Sequence, residues 1–151
     1  ACSTAFLGGI MRKVEPGASL PSARWRAMQA LAARGIRSGT TMMPILPFLE
    51  DSPENISAIV EQTAAHGGSY ILPWFGMSLR EGSREYFYEQ LDRLFPGLRK
   101  QYEARYGERY ICPTPNARAL EILFGELCAR LGIANKIHRY QPVKVEQLSL
   151  F

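Results

Sequence analysis

The sequence predicts an α/β fold of about three parallel strands alternating with helices, followed by a helical appendage. Three observations lead there. The stretch from Gly35 to Asp51 reads as a buried strand that runs straight into a proline-stiffened loop from Pro44 to Asp51. Helical patterns lie on both sides of it, and a strand–helix–strand order implies parallel strands covered by helices. Beyond Gly76 the chain changes to long, charged, aromatic segments of helical type. Ligands collect at the carboxyl ends of parallel strands, which places the expected site in the loop 44–51.

Taken in order, residues 1–10 hold a short strand signal ending at Gly8-Gly9. Met11 to Ala18 reads as a loop, because Pro16 biases Glu15 away from helix and Gly17 favours a turn. From Ser22 to Arg34 the positions Trp25, Met28, Leu31 and Ala32 follow helical spacing, and Gly35 ends the run. The next helix opens with Asp51 or Ser52 as its cap and Pro53 at its first position. Its expected buried stripe is Ile56, Ile59, Val60, Thr63 and Ala64, and Gly67-Gly68 stops it. Ser69 to Phe75 is a second short strand, in which Pro73 marks an edge or the strand's end. Arg84 to Tyr106 is helical, broken by Pro96-Gly97. The last helix starts at Thr114 or Pro115 and ends at Leu131, with Leu120, Leu123, Phe124, Leu127, Cys128 and Leu131 on one face. The tail 136–151 is irregular or extended. This divides the chain into a strand–helix part, 1–80, and a helical extension packed on it, 81–151.

A chain of 151 residues with 46% hydrophobic and 21% charged residues has the make-up of an ordinary folded domain. It contains no apolar run near the ~20 residues that cross a bilayer, and its first residues lack the basic and apolar regions of a signal peptide. The expectations are no membrane partner and a cytoplasmic setting. The three cysteines, Cys2, Cys112 and Cys128, are too widely spaced for a disulfide framework or a self-contained metal site. A net charge of +4 permits an anionic partner without requiring one. The opening residue is Ala1, and the opening strand signal is short; both suggest a piece of a longer protein.

Glu15, Glu50 and Asp51 fall in loops after strands, where a carboxylate can hold a ribose hydroxyl or an amine, or simply cap a helix or brace a turn. Arg24 and Arg26 flank Trp25 in the first turns of a helix, which can aim a guanidinium at a ligand carboxylate. His66 and His138 stand apart from any partner that would make a triad, and no glycine-rich phosphate loop is present. Arg93, Arg99, Lys100, Tyr102, Arg105, Tyr106, Arg109 and Tyr110 are suited either to a phosphate-and-stacking surface for nucleic acid or to an amphipathic helix with snorkelling arginines.

Four segments are similar to the C-terminal half of radical S-adenosylmethionine proteins of the spore photoproduct lyase type: Val14-Glu15-Pro16-Gly17-Ala18, Pro21-Ser22-Ala23-Arg24, Leu31 to Ile36, and Met43-Pro44-Ile45-Leu46-Pro47 with Asp51. The likeness is strongest over residues 11–75; the later aromatic helices and the Gln147 to Phe151 ending resemble relatives labelled DNA repair photolyases. The resemblance implies a partial (β/α) barrel fragment and a lyase-like parent enzyme with S-adenosylmethionine and a [4Fe-4S] cluster as cofactors, acting in DNA repair or nucleic-acid modification. It places Glu15 and Arg24 toward the cofactor or its supporting loop, and Pro44 and Pro47 on the adenine or substrate side. In that family a Cys-x3-Cys-x2-Cys loop holds the cluster. This sequence has no such loop, so the chain is expected to hold no metal or cofactor by itself and to be inactive alone. Cys112 is the one candidate hydrogen donor. The implied partners are a missing N-terminal barrel half, nucleic acid, and a second copy paired through an open sheet edge. The alternative is a stand-alone, non-catalytic half-barrel that binds a protein or nucleic acid.

Overall fold

A computed structural model describes residues 12–13 and 16–137. The elements run α1 (Pro21–Ala32), β1 (Gly39–Met42), α2 (Pro53–Ala65), β2 (Tyr70–Pro73), β3 (Gly76–Ser78), α3 (Ser83–Leu94), α4 (Leu98–Tyr106), β4 (Ile111–Pro113) and α5 (Ala117–Leu131).

β1 and β2 are parallel, with Gly39 opposite Tyr70 and Met42 opposite Pro73. Gly39 is required there, since a Cβ would lie 2.3 Å from the Tyr70 carbonyl oxygen. An isolated parallel bridge joins Tyr70 to Ala134 on the far side of β2. Among the described residues no strand pairs with the outer edge of β1. β3 and β4 form a second, antiparallel pair, with Met77 opposite Cys112.

The expectation of about three parallel strands in a partial (β/α) barrel fragment is therefore corrected: the sheets are two pairs, one parallel and one antiparallel. The strand expected in residues 1–10 lies outside the described residues. After β2 the chain turns at Trp74, whose carbonyl accepts from the Gly76 amide at 3.0 Å, and β3 pairs with a later segment instead of adding to β1 and β2. Gly76 permits that pairing because its missing Cβ would meet the Cys112 oxygen at 2.7 Å. Two strands of three residues carry too little alternation to register as strands in the sequence.

The helices follow their local signals more closely. Ser52 caps α2 by accepting from the Asn55 amide at 3.1 Å, and Ile56, Ile59, Val60 and Thr63 are buried. In α1 only Trp25 and Met28 are buried, while Leu31 faces solvent. α5 packs on α2 through Leu120, Phe124, Leu127 and Cys128. These residues join Met42, Ile45, Ile71, Phe75 and Ile133 in a first core. A second core gathers Leu46, Met77, Leu79, Tyr88, Leu91, Tyr102, Tyr106 and Cys112 around β3 and β4. Arg84 anchors it: the side chain is 9% exposed, pairs with Glu108, and donates to the carbonyls of Leu79 (3.1 Å), Glu108 (2.9 Å) and Arg109 (3.1 Å). No helix among the described residues is long and apolar enough to cross a membrane.

Candidate functional site

The loop 43–51 leaves the carboxyl end of β1 and runs between the two cores, with Ile45 in the first and Leu46 in the second. Its shape is held by bonds within the loop and by three residues outside it. The Ile45 amide donates to the Trp74 carbonyl at 3.2 Å, and the Leu49 and Glu50 amides both return to the Leu46 carbonyl, at 3.2 and 2.9 Å. Buried Glu50 accepts from the Leu46 amide through Oε2 at 3.1 Å, and its carbonyl accepts from Asn55 Nδ2 at 2.8 Å. From a distant helix the Tyr102 hydroxyl donates to the Pro47 carbonyl at 2.6 Å.

This network imposes an unfavourable backbone conformation on one residue. Phe48 has φ 61°, a left-handed value that a bulky side chain adopts at a cost of order 1–3 kcal/mol. The phenyl ring offsets part of that cost by packing edge-on against Tyr102 at 5.4 Å and tilted against Tyr106 at 6.3 Å. The Met43–Pro44 peptide is cis. At the loop's end, burial pushes the Asp51 carboxyl above its ordinary range, against backbone hydrogen bonds at Phe48 and at Asp51 itself. A loop so constrained presents fixed walls, as a binding surface requires.

The residues singled out in the sequence are not all gathered at this loop. Glu15 lies outside the described residues, as do Cys2 and His138. Arg24 is half-buried on α1 and borders a groove with Trp25, Met28, Ser38 and Gly39, along the outer side of β1. Pro44 is exposed and Pro47 buried, and neither borders that groove. Cys112 is fully buried in the second core, with its thiol pushed up by burial against the opposing influence of Arg84 and Arg109. Cys128 lies in the first core, its thiol raised by desolvation to about 11. His66 ends α2 with Nδ1 2.8 Å from the Gln62 carbonyl and its ring stacked on Trp25.

Of the basic and aromatic residues expected to offer a stacking surface, Tyr102 and Tyr106 are interior. Their hydroxyls donate to the Pro47 and Pro113 carbonyls, each at 2.6 Å. Arg99 is engaged with Glu103 and Asp92. The sequence reading missed Tyr102 as the support of the loop and Arg84 as an internal anchor. The Leu98, Tyr102 and Tyr106 spacing marks one helix face and was the available signal for the first; Arg84 had none.

Among the described residues no group of three His, Cys, Asp or Glu side chains could hold a metal ion. Cys112 and Cys128 belong to different cores, so these residues do not fit an iron–sulfur cluster.

Three uncharacterized mycobacterial proteins, one from Mycobacterium bovis and two from strains of Mycobacterium tuberculosis, are similar to this chain. Each is 31% identical over 137 residues, which cover 91% of the chain and 40% of the relative. The chain thus spans well under half the length of the curated relatives it matches. No family model and no solved structure matches it.

Proposed function

We propose that this chain is the C-terminal part of a radical S-adenosylmethionine iron–sulfur enzyme similar to spore photoproduct lyase, inactive by itself, with nucleic-acid repair or modification as the activity of the whole. The cluster ligands belong to the remainder of that enzyme. This chain contributes a wall, the loop 43–51. The observation that carries the reading is the build of that loop: its Met43-Pro44-Ile45-Leu46-Pro47 run bears the resemblance, and it is held around a left-handed Phe48 by bonds within the loop and by Trp74, Asn55 and Tyr102 outside it. Backbone strain of this sort persists where the surroundings over-determine it, and it concentrates at functional sites. The relatives, of which the chain spans 40%, leave room for a cluster-binding part.

The test uses the whole polypeptide that contains this chain, reconstituted without oxygen with iron and sulfide. After reduction with dithionite it is given S-adenosylmethionine. Formation of 5′-deoxyadenosine by the whole polypeptide, and none by residues 1–151 alone, is the expected result. A polypeptide that binds no iron and leaves S-adenosylmethionine intact overturns the reading.

A second reading, a non-catalytic module that binds a protein or nucleic-acid partner, is favoured by the outer edge of β1, which no described strand covers. Under it the same reconstitution gives no cleavage, and the whole polypeptide binds its partner without cofactor.

A further inference from the structure

A crevice of about 220 Å³ lies between the loop 43–51 and α3. Leu46 and Leu49 form one wall; Phe87, Leu91 and Phe95 form the other. The only charged side chains that border it among the described residues are Lys13 and Arg93, both cationic. Lys13 Nζ stands 5.6 Å from the centre of the Phe95 ring, so its charge sits over the apolar wall. Arg93 Nη2 donates to Gln90 Oε1 at 2.5 Å, and Gln90 also borders the crevice; this bond restrains the guanidinium beside the opening.

We propose that this crevice binds a small organic anion whose apolar body is about one aromatic ring in size, with its phosphate or carboxylate held by Lys13 and Arg93. Size supports the assignment. An apolar cavity of about 150 Å³ accepts benzene, and the volume here leaves space for an anionic group beside the ring. Charge supports it too. Both charged side chains that border the crevice among the described residues are cationic, and an anion entering there exchanges hydration for charge-assisted hydrogen bonds while its ring is desolvated. The proposal is independent of the radical-enzyme reading, since it concerns equilibrium binding to this chain.

Binding to residues 1–151 is measured by titration calorimetry with phenyl phosphate, inorganic phosphate and benzylamine. Phenyl phosphate is expected to bind saturably, and each of the other two at least roughly tenfold more weakly, because one lacks the ring and the other reverses the charge. Arg93→Glu and Lys13→Glu, both at exposed positions, should each weaken phenyl phosphate by roughly tenfold or more. Leu49→Trp, which fills the crevice, should abolish binding, with circular dichroism confirming that the fold is retained. Equal binding of phenyl phosphate and benzylamine, equal binding of inorganic phosphate, indifference to both charge reversals, or no saturable binding of phenyl phosphate each overturns the proposal.

Discussion

The core around β1 and β2 is closed mainly by aliphatic side chains, Ile56, Ile59, Val60, Ile71 and Leu120 among them, and its internal polar contact is short: Thr40 Oγ1 and Thr63 Oγ1 lie 2.8 Å apart. The core around β3 and β4 is closed by Tyr88, Tyr102 and Tyr106, and it draws distant backbone into its bonding through Tyr102, Tyr106 and Arg84. The first core depends on shape and area, with each large aliphatic residue contributing roughly 1.5–3 kcal/mol. In the second, aromatic area comes with the Tyr102 and Tyr106 hydroxyls and the Arg84 guanidinium, which donate to backbone carbonyls, so its stability depends on a few directional partners. The candidate loop touches both: Trp74 and Asn55 bond to it from the side of the first, and Tyr102 from the second.

The largest expected effect follows from removing the keystone of the second core. Tyr102→Ala should cost about 3–5 kcal/mol, in line with other large-to-small aromatic deletions. Ile59→Ala in the first core should cost about 2–5 kcal/mol. The two are distinguished by native-state hydrogen exchange: Tyr102→Ala should raise exchange most in the loop 43–51 and in β3 and β4, Ile59→Ala in β1, β2 and α2. If both variants loosen all amides equally, the two cores unfold as one and the contrast fails.

Next in size is the Arg84 anchor. Arg84→Met removes the donor to three carbonyls and should cost about 1–3 kcal/mol, the range for leaving buried acceptors unpaired. Its carboxylate partner Glu108 is 97% exposed, so Glu108→Gln should cost at most about 1 kcal/mol by denaturant titration. Comparable losses for the two substitutions would mean that the ion pair, and not the carbonyl contacts, carries the anchoring.

The smallest effect separates the cores by alkaline titration. Burial pushes Tyr106 up to about 12 and raises Tyr102 as well. In the unfolded chain both ionise near their ordinary value of about 10. Between pH ~10 and pH ~12 the unfolded state therefore binds fewer protons than the native state, and stability falls as pH rises through that window. Below about pH 10 these two tyrosines leave stability unchanged with pH. Tyr106→Phe should lower stability at neutral pH by about 0.5–1.5 kcal/mol, through loss of the bond to Pro113, and make the alkaline decline shallower. An unchanged slope would show that Tyr106 ionises freely in the folded protein.

The same contrast explains how much of the molecule could be read in advance. The first core was legible because its pieces are local: Ser52 and Pro53 open α2, Ile56, Ile59 and Val60 recur at helical spacing, and Pro73 ends β2. Leu31 fits the periodic pattern of α1 equally well, yet it is exposed, because periodicity states which residues share a face and not how wide a neighbour covers it. The second core was mostly illegible. β3 and β4 are three residues each, and Arg84 carries no local sign that it is internal. Tyr102 and Tyr106 lie in a basic helix whose spacing suits a stacking surface and an amphipathic helix alike, since hydrogen bonds to Pro47 and Pro113 depend on chain crossings that no spacing rule encodes. The loop itself was placed correctly after β1, but its left-handed Phe48 was not foreseeable, because a phenylalanine does not advertise a positive φ.

The bond from the Tyr102 hydroxyl to the Pro47 carbonyl joins residues 55 positions apart. During synthesis, which proceeds from the amino end, the loop emerges long before the helix that braces it. The ribosome must therefore release more than half of this chain before the loop can take its final form, and a nascent chain halted between α3 and α4 would display a Pro47 carbonyl still hydrated and a Phe48 free to relax to negative φ.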